Sequence, residues 1–149
     1  MLIVDMAAMS SPQSSIWRDA PELAIPDLPA LLCDSEDLWL CYAVVPSNVE
    51  SYAIVQFIDV IDHRLSPIND EGLGQHPYIK AGLQFYAFNE ITGSAETLKW
   101  AVLRARHWAV TFKDNTLDVI ARDATVVATD LQASSPTAAL LDFLHERAA

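Results

Sequence analysis

Residues 106–122 read Arg-His-Trp-Ala-Val-Thr-Phe-Lys-Asp-Asn-Thr-Leu-Asp-Val-Ile-Ala-Arg, and this stretch constrains the fold more than any other. A two-residue bend at Asp114-Asn115 pairs Lys113 with Thr116, Phe112 with Leu117, Val110 with Val119 and Trp108 with Ala121. One face then carries only apolar side chains: Trp108, Val110, Phe112, Leu117, Val119 and Ala121. The other carries His107, Thr111, Lys113, Thr116, Asp118 and Arg122, with Ala109 and Ile120 among them. Side chains alternate along a strand, so a one-residue slip mixes the two sets. Asp and Asn tolerate the positive φ that a short hairpin loop favours. The same register places His107 opposite Arg122 and Thr111 opposite Asp118.

Outside the hairpin, a chain of 149 residues fits one domain and buries roughly two-thirds of its unfolded surface. An apolar fraction of 52% and a mean hydropathy of +0.19 argue for a filled core and against disorder. The longest apolar run, residues 38–45, falls far short of the roughly 20 residues that span a bilayer. The N-terminus has no basic segment and meets Asp5 early, so no secretory signal is expected. Cys33 and Cys41 are too few for a disulfide framework, match no zinc pattern, and read as reduced structural thiols in a cytoplasmic protein.

The net charge of -11, from 20 acidic against 9 basic residues, carries more information. Phosphate neutralisation needs clustered Lys and Arg, so nucleic acid and anionic membranes are excluded as direct partners. A basic protein partner is compatible with the charge, as is a simple solubilising role.

Residues 1–36 hold four of the eight prolines and a cluster of serines. That composition predicts an arm along the domain surface, with short helical pieces near residues 15–20 and 28–32. From residue 37 to 149 a single α+β domain is expected. Residues 38–45 are apolar on both faces, as an interior strand is. Residues 46–51 make a turn, and residues 52–61 form an antiparallel neighbour. Residues 62–82 contain three of the four glycines and two of the four histidines and read as a long loop of functional type. A helical turn is expected at 69–73, capped by Asn69. Residues 83–91 alternate as a third strand.

Ser94 is the expected N-cap of a helix with Glu96 at its positive end and Leu98, Ala101, Val102 and Ala105 at helical spacing. After the hairpin, a turn at Arg122-Asp123 leads into a strand at 124–129. Ser135-Pro136 opens a C-terminal helix whose buried side is Leu140, Leu141, Phe143 and Leu144. The sum is a mostly antiparallel, curved sheet of five or six strands, with one helix inserted before the hairpin and one at the C-terminus.

His63 and His76 share the long loop with Asp62, Asp70 and Glu71, which suggests metal or acid–base chemistry. The histidines lie thirteen positions apart, with no H-x-H, H-x-x-H or H-E-x-x-H spacing. No metal and no cofactor is therefore assigned. His145 falls on the exposed side of the last helix. There is no G-x-S-x-G, no P-loop and no G-x-G-x-x-G, and no catalytic residue is assigned.

Two stretches resemble patterns shared by a group of small uncharacterised bacterial proteins. Pro67-Ile-Asn-Asp-Glu-Gly-Leu-Gly-Gln-His-Pro77, followed by Lys80-Ala-Gly-Leu83, is similar to P-N-D-E-x-L-x-x-H-P…G-L. Residues 106–121 are similar to R-H-Y-x-x-T-F-H-D-x-T-F-x-x-x-A. The likeness covers residues 38–123 and departs at Lys113, where the pattern has His, and at Leu117, where it has Phe. It implies a domain and no activity.

The expectation is a binding module whose working surface combines Asn69, Asp70, Glu71 and His76 from the loop with His107, Asp118 and Arg122 from the hairpin. A concrete form is an acidic inhibitor or immunity-type protein for a basic partner. The alternative is an enzyme or a small-ligand- or metal-binding protein with its site on the same residues, His107 acting as base and Arg122 as anion clamp. A third is a homo-oligomer assembled through the proline-rich arm.

Overall fold

In a computed structural model the described residues are 11–24, 28–45 and 51–148. The fold is α+β: one antiparallel sheet of seven strands with two helices. The strands are β1 (Gln13–Ile16), β2 (Ala30–Cys33), β3 (Leu38–Ala43), β4 (Tyr52–Ser66), β5 (Phe88–Thr92), β6 (Arg106–Thr111) and β7 (Thr116–Leu131). Their order across the sheet is β1-β5-β6-β7-β4-β3-β2.

Seven strands replace the five or six expected, for two reasons. Both edges come from the N-terminal stretch: β1 pairs with β5 and β2 with β3. At four residues each, these strands are too short to display a period, and the short helical pieces expected there are absent. Conversely, the turn expected at Arg122-Asp123 does not exist, and β7 runs through it unbroken for 16 residues. The expected turn at residues 46–51 lies almost wholly outside the described residues.

Alternation sorts the sheet into two faces. One carries Trp108, Phe57, Phe88, Tyr42, Leu38 and Leu40, closed over by Trp17 and Leu23 from the N-terminal stretch. Trp108 meets Phe57 edge-on at 5.3 Å, and Trp17 meets Phe88 at 4.9 Å, geometries that aromatic quadrupoles favour. The opposite face is covered in two places.

At one place lies the C-terminal helix α2 (Pro136–Ala148), started by Ser135, whose Oγ accepts the Ala138 N–H at 3.0 Å. It seats Ala139 and Leu140 on Cys41 and Ile54, with Phe143 and Leu144 half-buried beside them. Leu141 is 57% exposed, because it lies 100° round the helix from Leu140 and points away from the sheet. Burial there pushes the Cys41 thiol up to about 12.

At the other place lies the loop of residues 67–87, which drives Leu73 and Leu83 onto Ile91 and Ala109. It is shorter at its start and longer at its end than expected. β4 continues to Ser66, and only residues 88–91 of the third expected strand are extended in the sheet, which adds Thr92. Tyr86, at φ 50°, breaks the alternation. The loop holds two 3-10 turns, Leu73–Gln75 and Ile79–Ala81; Gly82 follows at φ 104°, where a side chain is strained.

Buried hydroxyls and an amide fasten the loop. Thr116 Oγ1 donates to Ile68 O (2.9 Å), Thr111 Oγ1 donates to Gln84 O (2.7 Å), and Asn89 Oδ1 accepts the Gln84 N–H (3.1 Å). The Asp70 N–H reaches Lys113 O at the hairpin tip (2.9 Å).

The helix before the hairpin, α1 (Ala95–Lys99), is five residues long and gives way to a 3-10 turn, Ala101–Leu103. Its expected apolar stripe faces outward, with Leu98 46% and Val102 88% exposed. Arg104, at φ 58°, ends it.

The hairpin itself keeps its faces and changes its register. Val110 pairs with Leu117, Trp108 with Val119 and His107 with Ile120, while Thr111 pairs with Thr116 and Asp118 with Ala109. The bend is one residue earlier, at Lys113-Asp114, and neither residue has positive φ. Moving the bend by one residue shifts each pair by two, which preserves both faces. Tethers from the loop, rather than φ preference, hold the hairpin tip in place.

Candidate functional site

The cleft begins with the polar residues of the sheet face beneath the loop. β4, β7 and β6 run side by side there, so Arg64 lies across from Asp118 and Asp62 across from Ile120. His107 stands one step diagonally from Asp118. β4 carries an extra residue between Val60 and Asp62, a bulge that re-aims the side chains after it. The loop adds His76 and Tyr78, and α1 adds Glu96. Together they line a cleft of about 330 Å³.

Asp118 is the centre of its hydrogen bonding. His76 Nε2 lies 2.9 Å from Oδ2 and 3.1 Å from Oδ1, and His107 Nε2 lies 2.8 Å from Oδ1. Both rings are nearly sealed from solvent, whereas the Asp118 side chain is 22% exposed. Burial opposes ionisation of this carboxyl, but hydrogen bonds from His107 and then His76 outweigh it and hold it below the ordinary carboxylate range.

The remaining ring nitrogens are engaged as well. His76 Nδ1 accepts the Tyr78 N–H at 3.0 Å, so a neutral ring carries its proton on Nε2 and donates it to Asp118. His107 Nδ1 lies 3.0 Å from Ser94 Oγ. Ser94 Oγ also accepts the Thr97 N–H as the helix cap and lies 3.3 Å from Thr97 Oγ1. Both imidazoles turn Nε2 toward one carboxylate.

Glu96 forms a second acidic group at the mouth. Its Oε2 accepts the Tyr78 hydroxyl at 2.6 Å and stands 3.6 Å from His107 Nδ1. Burial, then the bond to Glu96, raises the Tyr78 hydroxyl above the usual phenol value. The Tyr78 hydroxyl also accepts the Ala95 N–H at 2.9 Å, tying loop to helix.

Ser94, His107 and Asp118 have the connectivity of a nucleophilic triad. Ser94 is completely buried and serves as a helix cap, so no substrate carbonyl can approach it. Metal ligation meets its own obstacle. A metal on His76 Nε2 would force the ring proton onto Nδ1, where it would confront the Tyr78 N–H. Among the described residues no group of three His, Cys, Asp or Glu side chains is disposed to hold a metal ion.

Of the residues singled out by sequence, His76, His107 and Asp118 converge in the cleft. Asn69, Asp70 and Glu71 do not. Asn69 Oδ1 accepts the Gly72 N–H (2.7 Å), and Asp70 takes the Tyr86 hydroxyl (2.5 Å) on a separate shallow surface with Glu71 and Phe85. Arg122 lies elsewhere too, paired with Asp59 at 2.6 Å rather than opposite His107. His63 lies on β4 rather than in the loop, at the cleft's rim and 3.9 Å from Cys33 Sγ.

Sequence reasoning missed Tyr78, Glu96 and Arg64 as cleft residues. Tyr78 follows two positions after His76, and Glu96 two after the cap Ser94. Their joint role depends on a loop–helix contact that no periodicity reports.

No protein-family profile, curated protein or solved structure matches the chain. Among the described residues no helix is long and apolar enough to cross a membrane.

Proposed function

We propose that the chain binds a small polar ligand in this cleft, with the ionised Asp118 carboxylate as its principal acceptor. One observation carries the reading: two buried histidines hydrogen-bond a partly buried carboxylate that still opens onto a cavity. A purely structural role is a poor account of that expense, because apolar residues of similar volume commonly stabilise as well as a buried charged cluster. The imidazole nitrogens are all engaged inside the protein. What the cleft offers a visitor is therefore Asp118, Glu96 and the Tyr78 hydroxyl, a set suited to receiving hydrogen-bond donors more than to moving protons on a substrate. The resemblance of residues 67–83 and 106–121 to a group of bacterial proteins fits a shared cleft, since both stretches line it.

The test is a thermal-shift and NMR titration of the full chain against small amines, amino acids, sugars and carboxylic acids. Binding that perturbs Tyr78 and His107 resonances and is lost in Asp118→Asn supports the reading. A screen with no perturbation from any class removes it.

A basic protein partner is the second reading. The turn between β2 and β3 brings exposed Asp34 and Glu36 and half-buried Asp37 beside Asp59, whose N–H bonds Asp37 Oδ1 at 3.1 Å. With a net charge of -11, that rim suits salt-sensitive association. Calorimetry against a basic protein, with Asp34, Glu36 and Asp37 changed to Asn, Gln and Asn, distinguishes it from cleft binding.

A further inference from the structure

Resting on the cleft-binding reading above, we infer that the ligand is a small zwitterion of amino-acid type. Its ammonium group sits against Asp118, and its carboxylate meets the guanidinium of Arg64.

Size comes first. A volume of about 330 Å³ lies at the bottom of the range for ligand pockets. It suits a small molecule.

Charge comes second. Besides three histidines, the charged side chains lining the cleft are Asp62, Glu96 and Asp118 against Arg64. Three carboxylates to one guanidinium disfavour a simple anion. The inner end is negative as well, because the Asp118 carboxylate opens onto it beside His107 and His76. An ammonium supplies donors for its remaining lone pairs.

Arg64 supplies the third point. It faces Asp118 directly across β4 and β7, close enough for an ion pair in the ordinary geometry of cross-strand neighbours. Yet it makes no ion pair with any described residue. Its planar fork, exposed at the cleft's rim, matches a carboxylate in two-point fashion. A ligand holding an amine and a carboxylate a few bonds apart satisfies the inner Asp118 carboxylate and the outer guanidinium together. An amine alone leaves Arg64 unmatched, and an acid alone meets Asp118 and Glu96 with the wrong sign.

Isothermal titration of the full-length chain tests this with glycine, β-alanine and γ-aminobutyrate, against ethylamine and propionate of similar size. One of the three zwitterions is expected to bind about tenfold tighter than ethylamine, the worth of one charge-assisted hydrogen bond pair. Propionate is expected to give no heat. Arg64→Gln, at an exposed position, should bring the best zwitterion down to ethylamine's affinity. Glu96→Gln should weaken both, and it serves in place of Asp118→Asn if that variant does not fold. Equal affinity for ethylamine and every zwitterion, or an Arg64→Gln variant that still prefers the zwitterion, overturns the assignment while leaving a cation-binding cleft intact. Preference for propionate overturns the charge argument altogether. If none of these probes binds but another class in the wider screen does, the zwitterion is wrong and the cleft is still a binding site.

Discussion

Strands β6 and β7 present two surfaces from one backbone. On one side Trp108, Val110, Leu117 and Val119 are fully buried among aromatic rings. On the other, one residue out of step, His107 and Asp118 meet His76 over an open cleft. The apolar side tolerates a two-residue shift of register, because Trp108 and Val110 still meet apolar partners in Val119 and Leu117. The polar side does not. In the register expected from the sequence, Asp118 faces Thr111, four positions and roughly 13 Å along β6 from His107. In the actual register it faces Ala109 and reaches His107 at 2.8 Å. Hydrophobic patterning thus specifies which face a residue occupies, and a fastened loop specifies which polar groups touch.

Truncating each surface in turn tests that division most directly. Trp108→Ala opens a hole under Phe57 and Trp17 and should cost about 3–5 kcal/mol, read from the urea midpoint at constant slope. Asp118→Ala strands two imidazole nitrogens. It should cost roughly 1–3 kcal/mol, with the far-ultraviolet spectrum unchanged. If Asp118→Ala proves the more damaging, the polar cluster is holding the fold rather than decorating it, and the contrast between the faces collapses.

The sequence makes the apolar side legible because alternation is a local property. Trp108, Phe112, Leu117 and Val119 fall on one face whichever bend is chosen, and the Ser94 and Ser135 caps follow from side-chain chemistry within one turn. The edge strands are not legible: Gln13–Ile16 and Ala30–Cys33 are too short for a period and owe their conformation to β5 and β3. Nor is the composition of the cleft. His76 and Asp118 are 42 positions apart and meet because Thr116, Thr111 and Asn89 pin the loop. Arg122 looks equivalent to Asp118 in the alternation, yet the bulge beside Asp59 carries it to a separate ion pair.

Acid titration sharpens the contrast next. Asp118 has a carboxyl held below its ordinary value in the folded chain. Its contribution to stability is therefore complete above the unfolded value of about 3.9 and disappears as pH falls through the lowered native one. Wild type should lose stability relative to Asp118→Asn as pH drops below about 4. The gap between the two should stay constant from pH 5 to 5.5. A gap that does not narrow in acid means Asp118 is not the ionised partner of the two histidines.

Loosening the loop without touching the cleft is a smaller perturbation. Thr116→Val removes the bond to Ile68 O, a loss of about 1 kcal/mol. Faster amide exchange should be confined to residues 68–82, with Trp108 fluorescence unaltered. Exchange that accelerates equally in β6 and β7 would show loop and sheet opening as one unit, contrary to the separation argued above.

The least effect is expected where the sequence pattern most misleads. Leu98 and Val102 have helical spacing, but α1 ends at Lys99 and the following turn points Val102 into solvent at 88% exposure. Val102→Ser should change stability by no more than about 0.5 kcal/mol, as surface substitutions generally do. Equal size of effect for Val102→Ser and Val110→Ser would mean that something covers α1 in solution. The periodic stripe would then have been a correct reading of a buried surface. A negligible effect for Val102 beside a large one for Val110 places the determinant in the sheet's alternation, with the helix reduced to its cap: Ser94 and Glu96 serve the cleft, and the residues beyond Lys99 serve only to return the chain to β6.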